Sequence, residues 1–467
     1  MEWRRYSLFI AGILLISGCV REEVKIEKPG CTNCNVILVT FDALRADHLG
    51  AYGYDKPTSP TIDALAKKSF IFTNSFSQCG STSCSIPSIH TSKFPQTDNI
   101  LSDGLTPKEE ETTLAEILKK NGYNTYAVVA VNLAKSEYGS SQGFDVFDDR
   151  YDDPEIGNET RERVINMLGE IRENLEKDGK PVFLWIHFRE PHSPYNPDMK
   201  TFKEFYHNPG NEPLVYGIDG PKAVKEEGLD ERFTPILDYY VREKKESPSD
   251  YLIFGKRLPL TPTMYRQYQA MYDGNIKKID NEFRIVLDQI KESGLDEDTM
   301  IIVGNDHGES LGEHNIFDHN KLYYGVVHSP LIVHLPSDRH ETIDYPVMSV
   351  DILPTILELV GIQEKPDIRG QNLFNPREED YIQFAEYKDI KTIKRGDYKL
   401  LIDTSVMMGT LYNIREDPGE TKPVTKENLD TAKKLIKDLE DIKKSGIQST
   451  EDQVDTLERL REIGYAY

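Results

Sequence analysis

The chain has 467 residues, 38% hydrophobic and 29% charged, with a formal net charge of -23. That length allows one large α/β domain with an appendage, or two or three average domains. The acidic total argues against a nucleic-acid partner, whose phosphates need a basic face. It leaves an anionic substrate open, because a metal or local cations can dominate one cleft.

In chain order, Arg4 and Arg5 precede an apolar run from Leu8 to Ile16, followed by Ser17, Gly18 and Cys19. The run is too short to span a bilayer but has the layout of an export signal. Ile16-Ser17-Gly18-Cys19 is similar to a lipobox. Residues 1–19 therefore read as a signal peptide with Cys19 as the lipidated residue, and 20–34 as a charged tether. The expected location is the outer face of the cytoplasmic membrane or the cell surface. Export leaves Cys31, Cys34, Cys79 and Cys84, an even number in an oxidising compartment, so disulfides are expected with the pairing open.

Residues 35–42, "NVILVTFD", read as a buried strand ending in an acid. Similar apolar runs lie at 125–131, 181–187, 300–306 and 330–336. Helical patterns fall at 59–68, 111–121, 159–177, 263–294 and 351–360. Strands alternating with helices predict an α/β layered fold with a mostly parallel sheet, whose ligands gather where the strands end. Residues 196–262 are polar and aperiodic and read as an insertion or cap. From 376 onward, "YIQFAEY", "KTIKRGDYKLLID" and "TLYNIRED" predict a small antiparallel sheet, followed by helical stretches at 424–444 and 451–463.

Four segments carry candidate chemistry. Asp306 and His307 follow one strand, and Asp42 ends another. Carboxylate oxygen with imidazole nitrogen suits a borderline divalent metal such as zinc or manganese better than calcium. His187 and His192 flank a Pro-rich turn in "WIHFREPHSPYNP". His319 and Lys321 follow the Asp-His pair closely. Each alone has an ordinary reading as a turn, a helix cap or a buried histidine. Four of them at strand ends of one domain favour a shared site.

The opening "NVILVTFDALRADHLGAYGY" resembles the sulfatase family of the alkaline-phosphatase superfamily. The likeness continues in family order through "GFDVFDD", "HFREPHSPYNP", "NDHGESLGEH", "LYYGVVHSPLIVHLP", "LYNIREDPGE" and "LERLREIGY". It implies an alkaline-phosphatase-like three-layer α/β sandwich, with a sulfatase-like catalytic domain over 35–375 and a C-terminal subdomain over 376–467. The usual signature is C-x-P-S-R-x-x-L-x-T-G, whose cysteine becomes formylglycine. Laid on residues 82–92, "TSCSIPSIHTS", it puts Thr82 first, Cys84 at the proline and Ile86 at the arginine. Threonine there is similar to lipid phosphoethanolamine transferases and lipoteichoic acid synthases.

The resemblance implies Thr82 as nucleophile and one or two divalent cations held by Asp42, Thr82, Asp306 and His307, with zinc or manganese favoured and calcium possible. His192 and His319 would act on the leaving group. His187, His192, His319 and Lys321 would hold the substrate, an anionic ester on a glycan, lipid or small molecule. Pro87 fits the first turn of a helix whose N-terminus faces the anion. A threonine ester cannot collapse to an aldehyde as a formylglycine hydrate does, so phosphate esters are expected to turn over better than sulfate esters. Two other readings remain: a transferase moving a phospho-headgroup to a lipid or glycan, and a catalytically inactive glycan-binding surface protein.

Overall fold

The computed structural model describes residues 29–150, 159–193, 195–206, 251–253, 256–258, 262–317, 319–364 and 366–445. The signal segment, most of the 196–262 insertion and the 451–463 helical stretch lie outside the described residues. An eight-stranded sheet runs in the order Glu341–Ile343, Ser69–Phe72, Leu331–His334, Thr299–Asn305, Asn35–Phe41, Val182–Phe188, Asn124–Val129, Val146–Asp148. Leu331–His334 alone is antiparallel to both its neighbours. Every residue of Asn35–Phe41, Val182–Phe188 and Thr299–Asn305 is buried, as expected where helices cover both faces of a parallel sheet.

Side-chain alternation divides the core. Ile37, Val39 and Phe41 face the long helix Pro262–Glu292 and the helix Glu159–Asp178. The long helix turns Tyr268, Tyr272, Ile276, Ile279, Phe283, Val286 and Ile290 toward them, an apolar stripe at steps of three and four. Val36, Leu38 and Trp185 face the other way, against Leu114–Lys120, Ile352–Leu359 and the helix Thr82–Thr91. The result is a three-layer α/β sandwich with a mostly parallel sheet.

The expected elements are present with ends shifted by a few residues. Pro87 differs from expectation: the helix starts at Thr82 after Ser81, and Pro87 lies inside it. The helix stops at Ser92, which sits in the left-handed region at φ 56. Its hydroxyl donates to the Val350 carbonyl, and that packing offsets the backbone cost glycine would avoid. Cys31 pairs with Cys34, and Cys79 with Cys84.

The C-terminal part is a four-stranded antiparallel meander, Gln383–Tyr387, Ile390–Arg395, Tyr398–Asp403 and Met408–Asn413. The helix Leu429–Lys444 packs on it through Ala432, Leu435, Ile436 and Leu439. A buried ion pair joins it to the main domain. Lys399 Nζ lies 2.6 Å from Glu420 Oε1 and donates to the Leu322 carbonyl at 2.8 Å, while Glu420 Oε2 accepts from the Tyr324 amide. Removing one partner of such a pair strands the other charge. Lys399→Met should therefore cost about 3–5 kcal/mol in urea unfolding. A loss below about 1 kcal/mol would show that water already reaches the pair.

Candidate active site

The site grows from strand register. Phe41 pairs with Phe188 on one side and Asn305 on the other. One step further, Asp42, Arg189 and Asp306 stand side by side, on the face that carries Leu38, Trp185 and Ile302. Thr82–Thr91 packs on that face through Ile86 and Ile89. The fold thereby brings Thr82 to two carboxylates more than two hundred residues apart in the chain.

Asp42, Asp306 and His307 offer ligand atoms that all lie within 4.8 Å of one another, and all three residues are buried. Thr82 lies close enough to both carboxylates to favour their charged forms. Asp306 Oδ1 accepts from the amides of His307 at 2.7 Å and Ala43 at 3.2 Å, which aims Oδ2 inward. His307 Nδ1 donates to the Gly308 carbonyl at 2.8 Å, leaving the Nε2 lone pair inward. Asp42 Oδ1, Asp306 Oδ2 and His307 Nε2 are buried with no hydrogen-bond partner. Two carboxylates about 5 Å apart repel by roughly 3–4 kcal/mol at the effective dielectric of a protein site. The two amide bonds to Asp306, about 1.5–3 kcal/mol each, do not relieve Asp42, and the burial cost is added. The strain appears as a split: burial, then Asp306, pushes Asp42 well above the usual carboxylate range. Burial also acts against Asp306, but His307 and His187 outweigh it and hold that carboxyl below its usual value. Two carboxylate oxygens, an imidazole nitrogen and a hydroxyl around one buried point fit a divalent cation.

Above this point, His192 and His319 bring their Nε2 atoms to 3.3 Å. His192 Nδ1 donates to the Ser193 carbonyl and His319 Nδ1 to that of Gly80, so both free nitrogens are bases facing each other. Burial first, with carbonyl contacts opposing it, holds His192 at about 4 and His319 well below its usual range; both are neutral at pH 7. Gly80 is required where it is, because a Cβ there would lie 2.4 Å from the His319 carbonyl oxygen.

Two expected substrate ligands sit elsewhere. His187 is fully buried, with Nε2 3.9 Å from Asp306 Oδ2. Trp185 donates to Thr40, and Thr40 meets His187 Nδ1 at 2.8 Å, so the ring is fixed on that side and buried, with Nε2 near Asp306 and without a hydrogen-bond partner. Lys321 Nζ turns to Asp403 at 2.9 Å on the C-terminal sheet. Arg189 and Glu309, which motif reading passed over, lie close enough to act electrostatically on Asp42. Arg189 was findable: it follows His187 by two, the parity that Asp42 shares with Thr40.

The family profile described as "Sulfatase" matches residues 34–362, more than half of the chain. The chain belongs to the sulfatase family. A second profile, "N-sulphoglucosamine sulphohydrolase, C-terminal", matches residues 312–445 of this sulfatase-family chain. An N-acetylglucosamine-6-O-sulfatase of Bacteroides thetaiotaomicron is 22% identical, the match covering 91% of this chain and 88% of that protein. Among solved structures, a protein in complex with its substrate D-glucosamine-2-N,6-O-disulfate matches at TM-score 0.65 and 18% identity, covering 88% of this chain and 98% of that one. A phosphonate monoester hydrolase of Agrobacterium radiobacter matches at TM-score 0.65 and 17% identity, covering 88% and 94%. The fold is alkaline-phosphatase-like, and the protein is a sulfatase-family ester hydrolase.

Because the bare donor atoms converge, Asp306→Asn should remove cation binding. Wild-type protein should gain about 2.7 kcal/mol of stability with zinc or manganese at 100 times its Kd, and the variant none. An equal gain in both proteins would take Asp306 out of the ligand set.

Proposed function

We propose that this sulfatase-family protein hydrolyses sulfate esters on an anionic glycan through a covalent Thr82 intermediate. The observation that carries this reading is Thr82 at the N-terminus of its helix, beside the converging ligand atoms of Asp42, Asp306 and His307. A divalent cation held by Asp42, Asp306, His307 and Thr82 would lower the hydroxyl pKa and offset charge on the transferred group. The sulfated amino sugars named for the relatives support the glycan.

In the first step Thr82 Oγ1 bonds to sulfur as the bond from sulfur to the sugar oxygen breaks. The hydroxyl proton passes to the bare nitrogens of the His192–His319 pair, which hand it to the leaving alkoxide. In the second step the pair takes a proton from water, whose oxygen bonds to sulfur while Thr82 Oγ1 leaves and is reprotonated. Sulfate and the enzyme as it began are the products. Asp42 and Asp306 flank Thr82 throughout, and the Ala43 and His307 amides hold Asp306 in place.

A phosphate ester is the second reading, favoured by Thr82 itself. Both steps are then displacements at phosphorus, with no need for an aldehyde to expel the group. Transfer to an acceptor alcohol instead of water gives the headgroup-transferase variant. Among the described residues, no helix is long and apolar enough to cross a membrane. We also propose that the mature chain begins at lipidated Cys19, on the outer face of the cytoplasmic membrane or the cell surface. Mass spectrometry of the native N-terminus should find the lipid there; an intact Met1 or an unmodified Cys19 would refute it.

With cation supplied, Thr82→Ala should lower kcat on nitrophenyl sulfate and phosphate by about 1,000-fold or more. Acid-quenched wild-type enzyme should carry the mass of one sulfuryl or phosphoryl group on the peptide containing Thr82. Activity that survives Thr82→Ala would overturn the nucleophile. The ratio of kcat/KM for the two esters decides between sulfate and phosphate.

A further inference from the structure

Arg189 has no part in the steps above, yet register sets it beside Asp42 at the mouth of the sheet. Its side chain is only 6% exposed. The turn that carries it is folded onto Asp42: the His192 amide donates both to the Asp42 carbonyl and to that of Arg189, each at 3.1 Å. Its charge acts on Asp42 and on His192, so it is near both the carboxylates and the histidine pair.

The guanidinium is incompletely used. Nη2 donates to Glu190 Oε1 at 3.0 Å, while Nε is buried with no hydrogen-bond partner. A buried donor left bare costs about 1–3 kcal/mol and calls for an explanation. The neighbouring ion pair does not supply one, because Glu190 has a second cation. Lys278 Nζ lies 3.4 Å from the same Oε1, so Glu190 stays neutralised if Arg189 turns away. A guanidinium is also the side chain whose planar fork matches two oxygens of a sulfuryl or phosphoryl group. A divalent cation with Asp42 and Asp306 sums to no net charge, so attraction for an anionic ester must come from elsewhere.

We propose that Arg189 is a catalytic residue of this site, donating to non-bridging oxygens of the group being transferred to Thr82. This rests on the reading of Thr82 as nucleophile. The alternative is a structural ion pair with Glu190. The two differ in what binds the anion.

Binding of inorganic sulfate and inorganic phosphate to the cation-loaded Thr82→Ala protein, measured by calorimetry, tests the anion contact without turnover. Adding Arg189→Met should weaken both by about 10-fold or more, while Glu190→Gln should change them less than 3-fold. In the Thr82 protein, Arg189→Met should lower kcat by about 100- to 1,000-fold, the cost of losing one oxyanion donor, with metal content unchanged. Guanidinium ion should restore part of the activity of Arg189→Ala, and urea none. Unchanged anion binding on Arg189→Met, or equal losses from Arg189→Met and Glu190→Gln without guanidinium rescue, would overturn the proposal. Active Thr82→Ala protein would instead sink the nucleophile, so the two failures are distinct.

Discussion

Asp42 and Asp306 are held about one side chain apart inside a protein, and the rest of the site follows from that. Both carboxylates are buried, and each has an oxygen with no donor. Local hydrogen bonds offset only part of their repulsion. Such a pair persists only if the surrounding fold is strong enough to hold it, or if a cation or proton occupies the space between. The fold here is strong in that place. Three fully buried parallel strands end together, and their hydrogen bonds set the acids in adjacent register.

The remaining parts are arranged around that electrostatic demand. His187 sits behind Asp306 and is fixed through Thr40 and Trp185. Thr82 approaches from the other side on a helix whose first residue it is, and the Cys79–Cys84 bridge closes the turn leading into it. Ser85 donates back to the Cys79 carbonyl, tying helix and turn again. The close contact of Gly80 with the His319 backbone lets the second histidine reach the same space.

The C-terminal meander takes part without contributing a cation ligand. Its Lys399–Glu420 pair holds the backbone on both sides of Tyr323, four residues after His319. Lys321 is fastened to Asp403 on the same sheet. Glu386 on its first strand accepts from the amides of Gln96 and Thr97, just beyond the Thr82 helix. The subdomain thus grips two of the loops that build the site. A buried ion pair gains little net energy over apolar packing, but it sets one geometry firmly, since any slip exposes an uncompensated charge.

Much of the site could be read from the chain alone. Buried strands announce themselves as short apolar runs, and their ends mark where ligands collect, so Asp42, Asp306 and His307 stood out from local pattern. Thr82 needed the ordered likeness to a family, because a hydroxyl-rich stretch does not by itself say which oxygen is activated. The long helix was plain from its apolar stripe at steps of three and four. Short strands such as Ser75–Phe76, His328–Ser329 and Val347–Met348 were not, because two residues carry no period. What only tertiary structure decided is direction and partnership. Sequence places His187 and Lys321 near the chemistry, but parity within a strand turns His187 inward behind Asp306, and a carboxylate on a distant strand draws Lys321 away. The same parity brings Arg189 alongside Asp42. Cysteine pairing was open for the same reason, because which thiols meet depends on how the turns close, and turn closure is set by long-range packing.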